Sequence, residues 1–386
     1  DRSDIALGSG ALGRPDAVVS AADSGTQVHL RFDGLEPWVA GQSELYVASA
    51  NAGLTGFYVT GYLASPLANG ATTVDAGVLW DDALPDATKG DETLVTQTTP
   101  FDLLREDGGV IGTVWKVRRA ATVSGFTPVA GAANVLAASL SPVPETSTIP
   151  YDWYRQEGRA QAVTINPRAV PYVERLYAYT LPYTADIGPY NSFAPLVETY
   201  LDVGLNVNVK GSFTVGSPYP AAWPLVMVAH QSFQVPYDVG GGKSATVFAG
   251  LFYEDLASRF TATPTHLALS PPRNLKLGSA PILEGLVASS TTPFISWDAP
   301  SVGSPKYYIV FDYLLSDGLV PEFAEVTELV TTNTSVRIPP GYLKSGTRHV
   351  FVVSARLGAS DVTRAPYRNG FPTAYATAAS ELVTVP

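Results

Sequence analysis

Tyr307-Tyr308-Ile309-Val310-Phe311 and, later, Leu343-Lys344-Ser345-Gly346-Thr347-Arg348-His349-Val350-Phe351-Val352-Val353-Ser354-Ala355 lie in the stretch whose reading decides the fold. In both, large apolar side chains recur at every second position, as they do where one face of a strand is buried. Upstream, Pro271-Pro272 opens a run containing Asn274-Leu275-Lys276-Leu277. Ile295 and Trp297 then alternate with Ser296 and Asp298 before Pro300. Ser335-Val336-Arg337-Ile338-Pro339-Pro340 supplies one more short run. Proline and glycine punctuate the chain where the alternating runs begin and end, so the last third reads as a series of strands joined by turns.

Working outward, the same grammar holds over all 386 residues. Gly (34) and Pro (31) are spread between short Val, Thr, Tyr and Ala runs, and hydrophobic residues make up 46% of the chain. That is enough apolar surface for large cores, and the length implies two or three domains. Charged residues are only 15%, and the net charge is −11. Without a local Lys/Arg cluster to offset it, this charge repels phosphate backbones, so nucleic acid and anionic membranes are poor partners. Cysteine is absent, which removes disulfides and thiolate metal sites. No apolar run approaches the ~20 residues of a membrane helix.

Residues 1–26, rich in Gly, Ala, Ser and Asp, read as a flexible arm whose pieces Ile5-Ala6-Leu7 and Val18-Val19 are suited to pairing with a neighbour's sheet edge. Val28, Leu30 and Phe32 alternate with polar residues as a first strand. Strands are expected over 44–49, 56–62, 71–80, 92–98, 109–123 and 134–140, which makes about seven in 27–145, the number a β-sandwich needs. Within 109–123, Ile111, Thr113, Trp115 and Val117 are expected on one side, with Lys116 and Arg118 on the other. Prealbumin-like and jelly-roll topologies fit this section equally well. Residues 146–270 read as a second sandwich or a continuation of the first. Strict alternation from Leu201 to Lys210 predicts its clearest strand, Gly240-Gly241-Gly242 a hairpin turn, and 254–259 a single helical turn.

Residues 271–386 resemble a fibronectin type III domain. The Trp297 segment matches the family's second strand and Tyr307-x-Ile309-x-Phe311 its third. Leu343-x-x-Gly346-Thr347-x-His349 matches the corner before the sixth strand, with His349 where the family has Tyr. The resemblance implies that the His349 ring bonds backbone a few residues upstream, as the tyrosine hydroxyl does. The predicted fold is therefore all-β: tandem sandwiches, immunoglobulin-like or jelly-roll-like, ending in a type III-like sandwich. The chain as a whole, with Gly34-Leu35-Glu36-Pro37-Trp38 near its start, resembles mature surface lipoproteins of myxobacterial-type Gram-negative bacteria. That resemblance implies an extracellular or outer-membrane location and a lipid-bearing Cys ahead of Asp1.

For chemistry the residues offer little. His29, His230, His266 and His349 never cluster in sequence, and only His230 is placed as a candidate base; no Gly-x-Ser-x-Gly elbow accompanies it. Asp81, Asp82, Asp86, Asp91-Glu92 and Glu106-Asp107 fall in turn-forming segments and do not reproduce a calcium-loop spacing. No catalytic residue, cofactor or metal site is expected. The concentration of rings between Tyr151 and Tyr200 is the best binding signal, and Trp153, Tyr154, Tyr183 and Tyr190 are singled out as contacts for a glycan or protein. The expected function is non-catalytic adhesion or recognition at the cell surface. The alternative is a structural subunit of a self-assembling filament or surface layer, and a carbohydrate-active enzyme stands a distant third.

Overall fold

The computed structural model describes residues 17–20, 25–80, 83–105, 107–181, 194–282, 286–316, 320–358 and 371–386. Asp81, Asp82, Glu106, Tyr183, Tyr190 and the arm before residue 17 lie outside them.

Strand β1 (Gln27–Asp33) turns Val28, Leu30 and Phe32 inward and its alternate side chains outward. It sits between β4 (Val74–Val78), antiparallel to it, and β7 (Ala133–Ser139), parallel to it. Opposite this small sheet run β2 (Glu44–Ser49), β3 (Leu54–Tyr58), β5 (Thr93–Leu104) and β6 (Val110–Val123). Leu30, Phe32, Trp38, Leu45, Val47, Val95 and Leu136 fill the space between. Two expectations change here. The run 56–62 is not one strand, because after Tyr58 it tightens into a 3-10 turn, Val59–Tyr62, whose Thr60 hydroxyl accepts the Leu45 N–H at 2.8 Å. The end of the arm pairs within its own chain: Val19 bridges Ala83, and the Leu84 N–H donates to the Val18 carbonyl at 2.8 Å.

Strand β6 does not keep one side from Ile111 to Val117. The β5–β6 ladder shifts register between Leu103 and Leu104, opposite Gly112 and Val110. An extra residue at a bulge reverses the facing of the residues beyond it. Ile111 and Val114 therefore share one core, while Trp115 points to the other side. Gly112 is where β6 meets β11 (Pro195–Leu201), and a Cβ there would lie 2.2 Å from the Tyr200 carbonyl oxygen. Only glycine permits that approach.

Beyond β6 the sheet continues through β11, β10 (Val170–Thr180), β13 (Leu225–Gly240) and β14 (Lys243–Leu256). The pair β9 (Ser147–Trp153) and β12 (Val209–Val215) covers one face, burying Trp153, Tyr151 and Phe213 against Leu176, Met227 and Ala229. Short helices α1 (Arg155–Arg159), α2 (Ala162–Ile165) and α3 (Ala257–Phe260) turn corners, the last near the expected helical turn.

The run 201–210, expected as the clearest strand, is not one. Leu201 ends β11, Val209 starts β12, and 202–208 is a turn at 203–204 followed by irregular chain. The carbonyls of Asp202, Leu205 and Val207 are taken by the guanidinium of Arg155, which is fully buried. The Asp202 carboxylate accepts the Gly204 N–H at 2.7 Å. An arginine carries five N–H donors, and here they replace a sheet partner. Glu174 completes the arrangement: it accepts from Arg155 at 2.6 Å, from Arg159 twice at 2.7 Å and from Gln231 at 2.8 Å.

The last third forms two sheets. One holds β15 (Arg273–Leu277), β16 (Ala280–Pro281), β17 (Phe294–Asp298) and β20 (Ser335–Arg337), in the order β16-β15-β17-β20. The other runs β19-β18-β21-β22, that is, Phe323–Thr331, Tyr307–Leu315, Arg348–Leu357 and Thr373–Ala379. Trp297 on the second main strand is buried against Tyr308, ring centroids 5.1 Å apart, as the type III resemblance implies. This sandwich does not close on itself. The far half of the β13–β14 hairpin, whose turn is Gly240-Gly241-Gly242 with all three φ angles positive, lies in its core. Phe233, Val235, Tyr237, Val247 and Ala249 cluster with Trp297, Val310 and Phe351. Strand β22 pairs with β21 on one side and β14 on the other. Among the described residues twelve strands thus run in one sheet from β3 to β19, and the short β8 (Ser141–Pro142) beside β6 and β23 (Val383–Thr384) beside β21 bring that sheet to fourteen.

Candidate functional site

Of the four rings singled out from sequence, Trp153 is 5% exposed and belongs to the core beneath β9 and β12, so it presents no contact surface. Its position on the inward side of a strand that covers the sheet face gives the physical reason. Tyr154 is half-buried and packs on His266, ring centroids 4.4 Å apart. His266 Nδ1 lies 2.7 Å from Glu157 Oε1, and Glu157 also accepts the Leu267 N–H at 2.9 Å. The cavity behind them, about 30 Å³, has room for a single water. Tyr183 and Tyr190 lie outside the described residues.

The histidines occupy four separate environments. His29 contacts Asp75 on the outer face of β1. His349 is buried, and the upstream backbone bond expected of it is made by another group. The Thr347 hydroxyl donates to the Lys344 carbonyl, and His349 Nε2 lies 2.8 Å from that hydroxyl. Nδ1 lies 2.7 Å from Asp312 Oδ1, also buried. With its own proton committed to a carbonyl, the Thr347 hydroxyl faces Nε2 through its oxygen, and the Asp312 carboxylate faces Nδ1. The three side chains have the spacing of a nucleophile–base–carboxylate set, but the threonine proton is spent on the Lys344 carbonyl. They hold the corner.

His230, the candidate base, lies on β13 with its Nδ1 3.2 Å from Arg175 Nη2. Arginine only donates, so Nδ1 accepts and the imidazole proton sits on Nε2. Burial, with the Arg175 charge added, pushes its pKa down to about 4.

Around His230 the sheet presents a continuous row of side chains that sequence reasoning did not single out. Arg175, His230, Phe252, Tyr375 and Arg356 occupy facing positions on β10, β13, β14, β22 and β21. The Phe252 and Tyr375 rings stack 5.0 Å apart and 1° from parallel. The Arg356 guanidinium covers the other face of Tyr375 at 4.5 Å. At the far end Arg175 donates to Glu198 Oε1 at 2.9 Å and to the Tyr200 hydroxyl at 3.3 Å. Tyr200 in turn meets Trp115 edge-on at 5.2 Å. All these side chains are half-buried except Tyr200, which is 41% exposed. Burial pushes the carboxyl of Glu198 up against the pull of Arg175, and the phenol of Tyr375 up against Arg356 and Arg175. The row offers planar groups, ring edges and N–H and O–H donors, the means of recognising a polar, acceptor-rich surface.

The charges that sequence placed in turns have local partners: Asp86 accepts from Thr88, and Asp91 from the Asp86 N–H. Among the described residues no group of three or more His, Cys, Asp or Glu is placed to hold a metal ion, and no helix is long and apolar enough to cross a membrane.

No family model and no curated protein matches the chain. Among solved structures, the FN1–FN3 domains of chicken CNTN1 align over 92% of this chain and 99% of that one at 10% identity. The TM-score is 0.15.

Proposed function

We propose that this is a non-catalytic extracellular or cell-surface protein that recognises a glycan or another protein through the side-chain row centred on His230 and Tyr375. The observation that carries this reading is the continuity of the row. Its members come from the middle of the chain and from the type III-like sandwich, and they form one surface because β14 and β22 are ladder partners. A surface assembled from distant segments on a rigid sheet is well suited to holding a ligand at fixed geometry. Within it the His230 Nδ1 lone pair is occupied by Arg175, so the imidazole serves positioning. The test is a glycan and surface-protein array probed with the native chain and with Tyr200→Ala and Trp115→Ala. Loss of a wild-type signal in both variants, with the melting temperature kept, supports the reading. An array without signal removes it.

A second reading, a self-assembling subunit, is favoured by β19, which ends the sheet with no strand beyond it among the described residues. Its nine residues leave backbone donors and acceptors available for another chain. Light scattering over a concentration series separates the two readings.

A further inference from the structure

Within the proposed recognition surface, and resting on that reading, we infer that the segment around Tyr375 is a subsite for the carboxylate groups of an acidic polysaccharide.

The groups converging there are donors. Arg356 lies on the Tyr375 ring, and Arg175 closes the other end of the row beyond His230. The Nε atoms of both arginines are buried without a hydrogen-bond partner among the described residues, so contact with a ligand falls to the terminal N–H groups. Arg175 is partly neutralised by Glu198 at 2.9 Å. Arg356 spends its charge on the Tyr375 ring face, an interaction that leaves its N–H groups available. The His230 proton is on Nε2, which faces the Gly250 side of the row: a Cβ built on Gly250 would lie 3.5 Å from His230 Nε2 and 3.5 Å from Tyr375 Cε2. The absence of a side chain at Gly250 leaves the floor between the two rings bare. Stacked face to face, Phe252 and Tyr375 turn their ring edges outward, and those edges carry the positive end of the quadrupole. Two guanidiniums, an imidazole N–H, a phenol and positive ring edges make a local acceptor-seeking strip on a chain of net charge −11.

Direction separates a polysaccharide from a peptide. The row runs across the strands, spanning four strand spacings from Arg175 to Arg356, roughly 19 Å. A peptide that binds a sheet by strand addition runs along an edge strand and exchanges backbone bonds with it. Laid across the strands, its N–H groups would meet guanidinium and imidazole donors over most of the row, with acceptors confined to Glu198 and the phenol oxygens. A uronate chain presents carboxylate, hydroxyl and ether oxygens, nearly all acceptors, and needs no backbone partner.

The experiment is affinity electrophoresis and calorimetry of the full chain with sodium polygalacturonate, fully methyl-esterified polygalacturonate, dextran and poly-glutamate. The variants are Arg356→Ala, Arg356→Lys and Tyr375→Phe, with thermal melts run in parallel. Polygalacturonate is expected to bind and its methyl ester to bind at least about tenfold more weakly, since a charge-assisted bond is lost. Arg356→Ala is expected to weaken polygalacturonate binding about tenfold with the melting temperature kept, Arg356→Lys less, and added salt is expected to weaken binding further. Equal binding of ester and acid, or of Arg356→Ala and wild type, overturns the carboxylate assignment while leaving neutral-glycan recognition standing. Poly-glutamate binding as tightly as polygalacturonate overturns the polysaccharide. Binding to none of the four polymers overturns the subsite outright, and the glycan and surface-protein array then decides the broader reading by itself.

Discussion

Phe252 and Tyr375 stand directly opposite each other on β14 and β22, their rings 5.0 Å apart and 1° from parallel. One belongs to the long hairpin of the middle section and the other to the last long strand of the type III-like sandwich. The pair marks the line along which two sections that look separate in sequence become one body.

That junction sets how the chain unfolds. Ala376, fully buried on β22, faces Leu251 on β14 and Ala355 on β21. Ala376→Pro removes a ladder donor in a central strand, a position proline does not tolerate, and is expected to be strongly destabilising. Native-state hydrogen exchange is expected to show β13 and β21 losing protection by equal amounts. Loss confined to β21 would show two independent units.

For the same reason, residues 271–386 expressed alone are expected not to fold. The fragment lacks Phe233, Val235, Tyr237, Val247 and Ala249, which complete its core. Circular dichroism and dye binding are the checks, and a cooperative melt of the fragment would refute the shared core. In the full chain, Tyr237→Phe removes the buried bond from the Tyr237 hydroxyl to the Ser380 carbonyl, 2.7 Å long, and is expected to cost about 1 kcal/mol in a denaturant titration.

Glu174 is fully buried between Arg155 and Arg159. Glu174→Ala leaves Arg155 charged and without a carboxylate in the interior, an arrangement that costs about 3–5 kcal/mol. Arg155 also ties down 202–208 through its carbonyls, so limited proteolysis of the variant is expected to cut there first.

His230 provides a pH signature. Its pKa, near 6.5 in an unfolded chain, is pushed down to about 4 by burial and by Arg175. Protonation therefore favours unfolding. The stability associated with the neutral ring is complete above pH 6.5 and is lost as the pH falls toward 4, by about 2 kcal/mol once the ring's partial exposure is allowed for. The other charged or titratable groups along the row are Glu198, Tyr177, Tyr200, Tyr375 and Arg356. Glu198 acts in the opposite sense, because a carboxyl held above its usual range gains from acidification. The difference between wild type and His230→Gln isolates the histidine. Parallel stability curves for the two from pH 7 to pH 4 would contradict the assignment.

The legibility of the fold in sequence depends on where the determining contacts lie. Strands β1, β2 and β7 are paired with one wet face and one dry face, so Val28-x-Leu30-x-Phe32 announces itself. The same rule misreads 201–210, because alternation records side chains and says nothing about a guanidinium 50 residues upstream that takes the carbonyls. It misreads Trp115 because a bulge reverses a strand without altering its composition. Trp153 lies in the densest ring cluster and is core, whereas Arg175, His230, Phe252, Arg356 and Tyr375 are scattered through the chain and meet only through strand order. The expected backbone bond of His349 fails for a related reason: the Thr347 hydroxyl takes the Lys344 carbonyl, and the ring lies instead between that hydroxyl and Asp312 on the neighbouring strand.

The sharing of β22 between β14 and β21 has a mechanical meaning. A load drawn along the chain meets no hinge between the middle section and the type III-like sandwich; it is borne sideways, as shear, by the ladder bonds on both flanks of one seven-residue strand. Ladder bonds loaded side by side in shear yield together, so the joint resists until it fails all at once, and a ligand held across it at Phe252 and Tyr375 would act as a splint.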